Sequence, residues 1–261
     1  MTTRDPEPAA GKPYPVGVRR TDGGAEAARE APGMAIDAPP PEAARTTSAA
    51  APAVLRVTGV AKSFHRGLWP RRRTIAVLSD ACLEVGPGEL VGLVGENGSG
   101  KSTLMQIIVG LLGRDAGEVE RPARVGYCPQ VPMLWDKLTV DEHFELFAYA
   151  YGLEPDAATR SIDALLAELD FARYRGYRIE ELSGGTRQKL NLALSLMHEP
   201  QLLLLDEPYS GFDWETYLRF WEMSERRRDA GMAILIVSHL LAERERLDRM
   251  LEIRDRRVCG C

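Results

Sequence analysis

The chain has 261 residues, 44% of them apolar and 27% charged, which allows one large or two small domains and a sizeable core. Its formal charge of -5 excludes a long-range pull toward nucleic acid or anionic lipid. Cys82, Cys128, Cys259 and Cys261 are too few and scattered for a disulfide framework, no apolar run approaches a membrane span, and Asp5 and Glu7 interrupt any secretory leader, so a cytosolic chain is expected.

Residues 1–52 are rich in Ala, Pro, Gly and charge, with almost no large apolar side chain to offset the entropy of ordering them. A disordered extension is predicted there, and one domain over residues 53–261. Leu55, Val57 and Val60 alternate with polar residues in a strand that continues through Phe64. Phe64 is either sheet packing or a platform for a nucleobase. Gly67 to Arg73 reads as a loop with solvated arginines, Ala76 to Val85 as a strand, and Gly86-Pro87-Gly88 as a turn.

The apolar run Leu90 to Val94 then meets Gly95, Glu96, Asn97, Gly98, Ser99, Gly100, Lys101, Ser102 and Thr103, followed by apolar residues at helical spacing from Leu104 to Leu112. Strand, glycine-rich turn and helix together form the full phosphate-loop pattern. The glycines let successive N–H groups point inward around a phosphate, and the helix adds its positive end. Lys101 supplies a point charge for the β- and γ-phosphates, and the Ser102 hydroxyl is placed to ligate Mg²⁺.

Gly110 to Gly117 reads as a loop and Arg124 to Tyr127 as a short strand leading to Gln130, a loop residue or an uncharged contact for Mg²⁺ or water. Helices are predicted over Val140 to Gly152 and Asp156 to Leu169, capped by Thr139 or Asp141 and by Asp156. Phe144, Phe147, Tyr149 and Tyr151 form an aromatic group read as core packing, with a partner-facing groove as the alternative. Leu182-Ser183-Gly184-Gly185-Thr186 precedes a helix from Arg187 to Met197, making a second anion-binding helix end. One phosphate is not easily cradled by two distant helix ends of one chain, so this end is expected to serve a neighbouring subunit.

Leu202 to Leu205 read as a strand buried on both faces, ending in Asp206 and Glu207 at the edge where parallel sheets bind ligands. Asp206 is suited to hold Mg²⁺ and Glu207 to polarise an attacking water. A helix follows from Trp214 to Arg228, then a strand from Ala233 to Val237 whose edge carries His239, a structural residue or a γ-phosphate contact. A helix from Leu240 to Leu247 and a strand from Met250 to Ile253 close the domain.

Taken in this order, Phe64, Gly95 to Thr103, Gln130, Leu182 to Thr186, Leu202 to Glu207, Ser210 to Asp213 and His239 resemble the ATP-binding subunits of ABC transporters, over about Val54 to Val258. The resemblance implies an α/β fold: a phosphate-loop NTPase parallel-sheet core, an antiparallel β subdomain, and a helical insert near residues 131–198 carrying the signature segment. It implies two such domains, as a homodimer or heterodimer, pairing head to tail around two ATP molecules and acting on membrane-spanning subunits from the cytoplasmic face. On that pattern Phe64 stacks on adenine, the loop from Gly95 to Thr103 holds phosphate, and Ser102, Gln130 and Asp206 surround Mg²⁺. Gln130 couples to the membrane partner, Ser183, Gly184 and Gly185 reach the opposite γ-phosphate, Asp213 bridges the dimer, Glu207 is the base and His239 the phosphate sensor. Thr186, Phe64 and Trp214 stand where the family usually has Gln, Tyr and Pro. The insert resembles export-type subunits most. A rival class, ABC-type ATPases acting on nucleic acid or the ribosome, is opposed by the short insert and the single domain, and a regulatory nucleotide-binding module by the intact Lys101, Asp206 and Glu207.

Overall fold

The computed structural model describes residues 52–67, 73–238 and 241–260. Residues 1–51 of the predicted tail, residues 68–72 of the arginine loop, His239, Leu240 and Cys261 lie outside the described residues. In chain order the strands are β1 (Leu55–Arg66), β2 (Arg73–Val85), β3 (Leu90–Val94), β4 (Ala116–Glu120), β5 (Val125–Cys128), β6 (Leu202–Asp206), β7 (Ala233–Val237), β8 (Arg249–Arg254) and β9 (Arg257–Gly260). The α-helices are α1 (Lys101–Val109), α2 (Val140–Ala150), α3 (Pro155–Glu168), α4 (Gly184–Leu196) and α5 (Trp214–Asp229).

An antiparallel sheet has the order β2-β1-β4, and a second sheet the order β5-β6-β7-β3-β8-β9, parallel except for the β9 edge. The central strands carry unbroken apolar runs because helices and the antiparallel sheet cover both faces: Leu202 to Leu205 and Ala233 to Val237 are all fully buried. Their side chains alternate between two cores. Leu203, Leu205, Ile234 and Ile236 pack with Phe144, Phe220 and Trp221, while Leu202, Leu204, Leu235 and Val237 pack with Leu104, Met105 and the antiparallel strands. This strand order leaves one strand, β7, between the C-terminal ends of β3 and β6. At about 4.8 Å per strand the phosphate loop and the Asp206-Glu207 pair begin about 10 Å apart on one edge.

β3 and β7 have the bounds expected from their apolar runs, whereas elements with polar ends depart from expectation. Helix α1 begins at Lys101, three residues before the apolar periodicity, since its first turn is built from the polar end of the phosphate loop. It stops at Gly110, where a left-handed residue (φ 89°) returns its N–H to Gln106 and Ile107. The expected loop from Gly110 to Gly117 ends two residues early at β4, a strand with no fully buried residue that lacks the apolar signal, and β9 follows the last expected strand as a short edge. The expected closing helix is a 3₁₀ segment, Leu241–Arg246.

In the helical insert the α2 cap is Thr139 rather than Asp141. Its hydroxyl accepts the Glu142 N–H at 3.2 Å and the Glu142 carboxylate accepts the Thr139 N–H at 2.7 Å, a reciprocal capping box. Asp156 lies inside the first turn of α3, whose cap residue Glu154 makes no side-chain bond. Thr139→Ala should therefore lower unfolding free energy by about 1 kcal/mol and the melting midpoint by roughly 2–4 °C. Thr139→Asp should restore both, as read by calorimetry. Phe144 is core as expected, but Tyr149 is 87% exposed.

Candidate functional site

The loop after β3 wraps onto the start of α1. Gly100 is held at φ 109°, and a Cβ there would lie 3.0–3.3 Å from Leu78 and Val77, so only glycine lets β2 pack this closely. No side chain caps α1 and its first turn carries no acid, which leaves the first amides of the helix for an anion. Lys101 is 6% exposed and its Nζ donates to the carbonyls of Gly95 and Glu96 at 2.7 and 2.9 Å. Burial pushes this ammonium below its usual range, against the opposing pull of the Glu207 and Asp206 carboxylates.

A cavity of about 580 Å³ opens above the loop, lined by Asn97, Gly98, Gly100 and Lys101 to Thr103, with Gln130 and Glu207 across from them. The Gln130 Nε2 donates to Glu207 Oε2 at 3.0 Å, joining the end of β5 to the end of β6. Glu207 has a left-handed backbone (φ 50°), a strained state for a residue of its kind that turns the chain out of the ladder. Asp206 is buried behind it at 2% exposure.

Other expected residues sit elsewhere. Glu96 and Ser99 line the opposite side of the loop, toward the β8–β9 turn. Gly95 packs so close that a Cβ would meet the Ile253 carbonyl at 2.9 Å. Phe64 is 40% exposed and pairs with Ile75 across β1 and β2, outside the cavity lining. Val77, two residues along β2, does line it; this apolar strand residue carried no sequence signal.

Ser183, Gly185 and Asp213 gather in a separate depression of about 210 Å³ with Arg173 and Lys189. Ser183 caps α4, accepting the Thr186 N–H at 3.2 Å, with its hydroxyl 2.7 Å from that of Thr186; Gly184 opens the helix. Gly185 abuts the Gly211 carbonyl so closely that a Cβ would lie 2.2 Å from it. Asp213 caps α5, and the Thr216 N–H and hydroxyl, helped by nearby Lys189 and Arg219, hold its carboxyl below the usual range. Lys189 was legible in principle, one turn after Gly185 on α4. Arg173, ten residues before Ser183, was not.

Among the described residues no group of three or more His, Cys, Asp or Glu could cage a metal. The oxygen donors of Ser102, Gln130 and Asp206 suit Mg²⁺, which prefers few protein ligands and shares its shell with phosphates and water. Cradle, buried lysine and strand-end carboxylates on one edge of a parallel sheet define a phosphate-loop NTPase fold.

The ABC transporter family profile matches residues 78–210. An uncharacterised ABC transporter ATP-binding protein from Methanocaldococcus jannaschii is 34% identical over 67% of this chain and 67% of its own length. The Nod factor export ATP-binding protein I of Rhizobium etli is 36% identical over 67% of this chain and 60% of its own. The chain thus spans about two thirds or less of these relatives. Among solved structures, the ATP-binding subunit of an ABC transporter superposes with a TM-score of 0.70 at 30% identity, covering 78% of this chain and 88% of its own. A dimeric bacterial ABC transporter cassette matches in fold with the same score at 23% identity, covering 78% and 96%. The chain belongs to the ABC transporter family, and its described part is an ABC nucleotide-binding domain.

Proposed function

We propose that this protein is the ATP-hydrolysing subunit of an ABC transporter, one half of a homodimer or heterodimer that powers export through separate membrane-spanning subunits from their cytoplasmic face. The observation that carries this reading is the division of the site into two depressions, one with the phosphate loop, Gln130 and Glu207, the other with Ser183, Gly185 and Asp213. Two copies placed head to tail would complete each half with the other. The export direction rests on similarity to the Nod factor export protein.

In this reading the loop amides from Gly95 to Thr103 and the α1 end hold the phosphates, Lys101 offsets their charge, and Phe64 stacks on adenine. Ser102, Gln130 and Asp206 would hold magnesium, which supplies charge neutralisation on the β- and γ-phosphate oxygens. Glu207 accepts a proton from the attacking water, and His239 would meet the γ-phosphate from the end of β7. Positioning and electrostatics account for most of the acceleration.

The membrane partner has a candidate surface beside Gln130. Val131, Met133 and Trp135 are 74%, 69% and 54% exposed, and Met133, Trp135, Phe147 and Tyr151 line an apolar groove of about 190 Å³ between that segment, α2 and α4. Buried His143 fixes its shape: one ring nitrogen accepts the Trp135 N–H at 3.0 Å and the other lies 2.8 Å from the Thr139 carbonyl. Trp135→Glu should weaken association with the membrane subunit by roughly thirtyfold, the loss of a 2 kcal/mol anchor, while ATP hydrolysis by the isolated protein stays within about twofold. The overall test is copurification of a multispanning membrane protein, together with phosphate release from Mg·ATP. Turnover that requires added RNA or DNA would overturn the transport reading.

A further inference from the structure

Tyr209 stands two residues after Glu207, in the turn that leaves β6. Its ring is wedged against Tyr217, Phe220 and Trp221 of α5, with centroids 5.5, 5.7 and 6.1 Å away. From that wall its hydroxyl donates to Ser238 Oγ at 2.7 Å. Ser238 is 1% exposed and follows β7 directly, immediately before His239. One backbone bond ties the same turn to the sheet, Glu207 N–H to Val237 O at 3.2 Å, and two close the turn on itself, Ser210 N–H to Glu207 O at 3.3 Å and Phe212 N–H to Tyr209 O at 3.0 Å.

Glu207 is in a left-handed conformation beyond the last paired residues of the ladder, Asp206 and Val237. Such a conformation persists only where its surroundings over-determine it, and a misplacement of about 1 Å can cost roughly 10²-fold in rate. The aromatic wall fixes where the Tyr209 ring sits, and the hydroxyl ties that fixed point across to β7. We infer that Tyr209 is a positioning residue for hydrolysis: its bond to Ser238 clamps the ends of β6 and β7 together and so sets the place of the Glu207 carboxylate. The inference rests on the reading of Glu207 as the group that activates water.

Tyr209→Phe keeps the ring and removes the bond. It should lower kcat about three- to tenfold, the worth of one neutral hydrogen bond, with ATP affinity unchanged and the melting midpoint lowered by no more than about 2–4 °C. Ser238→Ala should lower kcat similarly, and the double variant should fall no further than the worse single one. Independently of turnover, amide exchange in residues 207–212 of Tyr209→Phe should quicken several-fold while that of α1 does not. Unchanged kcat, a fall matched by lost ATP affinity, additive effects or unchanged exchange would each overturn the inference. If the unaltered protein binds ATP without hydrolysing it, the Glu207 reading fails instead, and unchanged exchange would still overturn the clamp.

Discussion

Glu207→Gln is expected to slow phosphate release by about 10²–10⁴-fold, the usual worth of a general base, while leaving ATP bound. The substitution keeps size and planarity and removes only the negative charge and the capacity to accept a proton. The contact with Gln130 survives, because a glutamine carbonyl oxygen can accept from Gln130 Nε2 where the carboxylate now does at 3.0 Å. The left-handed backbone at position 207 is borne equally well by either side chain, so the melting midpoint should not move. Removing the charge also lessens repulsion toward the triphosphate, so affinity should hold or rise. With binding intact and turnover stopped, the two-half architecture predicts a dimer that accumulates with ATP, seen by size-exclusion chromatography with light scattering. Rapid hydrolysis by this variant would remove Glu207 from the chemistry. Slow hydrolysis without any dimer would instead leave Glu207 in place and dismiss the shared seam.

The parts of this site that were legible are those whose hydrogen bonds are local. The glycine turn from Gly95 to Thr103 closes on itself and on the helix that follows it, so strand, turn and helix were readable from contiguous residues. Four leucines before Asp206 announced a strand buried on both faces, and its end had to fall at the ligand edge. Contacts that depend on strand order were opaque. Gln130 and Glu207 are 77 residues apart, and nothing local says that β5 lies beside β6. Buried polar groups hid for the same reason: Asn191 of α4 donates to the Pro129 carbonyl and lies 3.2 Å from the Cys128 sulfur, bracing the approach to Gln130, yet its neighbours in sequence are apolar core. Polar edge strands such as β4 lacked any hydrophobic alternation to betray them.

Ser183 and two glycines signalled a helix end open to an anion, but Ser183 also spends its hydroxyl on its own helix through Thr186. What faces the depression besides its hydroxyl is the pair Arg173 and Lys189, with Asp213 beside them. Two basic residues and one carboxylate lining a shallow depression leave little net attraction for a free anion, which accords with the proposal that its ligand is held mainly by another copy.

Lys101→Ala should reduce ATP affinity by about 10²-fold and remove most of the stabilisation that ATP confers. The ammonium lies within reach of two carbonyls of its own loop, Gly95 and Glu96, at 2.7 and 2.9 Å, so it is already aimed into the cradle before any phosphate arrives. Charge-assisted hydrogen bonds contribute roughly 1.5–3 kcal/mol each, and a single lost one at the upper limit gives the hundredfold figure. A second effect adds to it. Without Lys101 the carboxylates of Asp206 and Glu207 face the triphosphate with no neighbouring cation from the loop. Brace and charge can be separated by thermal unfolding. Loss of the loop brace alone would lower the midpoint of the protein without nucleotide, whereas loss of the charge alone would leave that midpoint and reduce only the rise on adding Mg·ATP. For the unaltered protein at a ligand concentration about 100 times Kd that rise corresponds to roughly 2.7 kcal/mol, which at a hundredfold weaker affinity shrinks to about 0.4 kcal/mol. Because the loop keeps its backbone bonds, Ser99 N–H to Glu96 O and Leu104 N–H to Gly100 O at 3.1 and 2.8 Å, the charge is expected to dominate. An undiminished ATP-induced rise in Lys101→Ala would mean that the nucleotide is held somewhere other than this cradle.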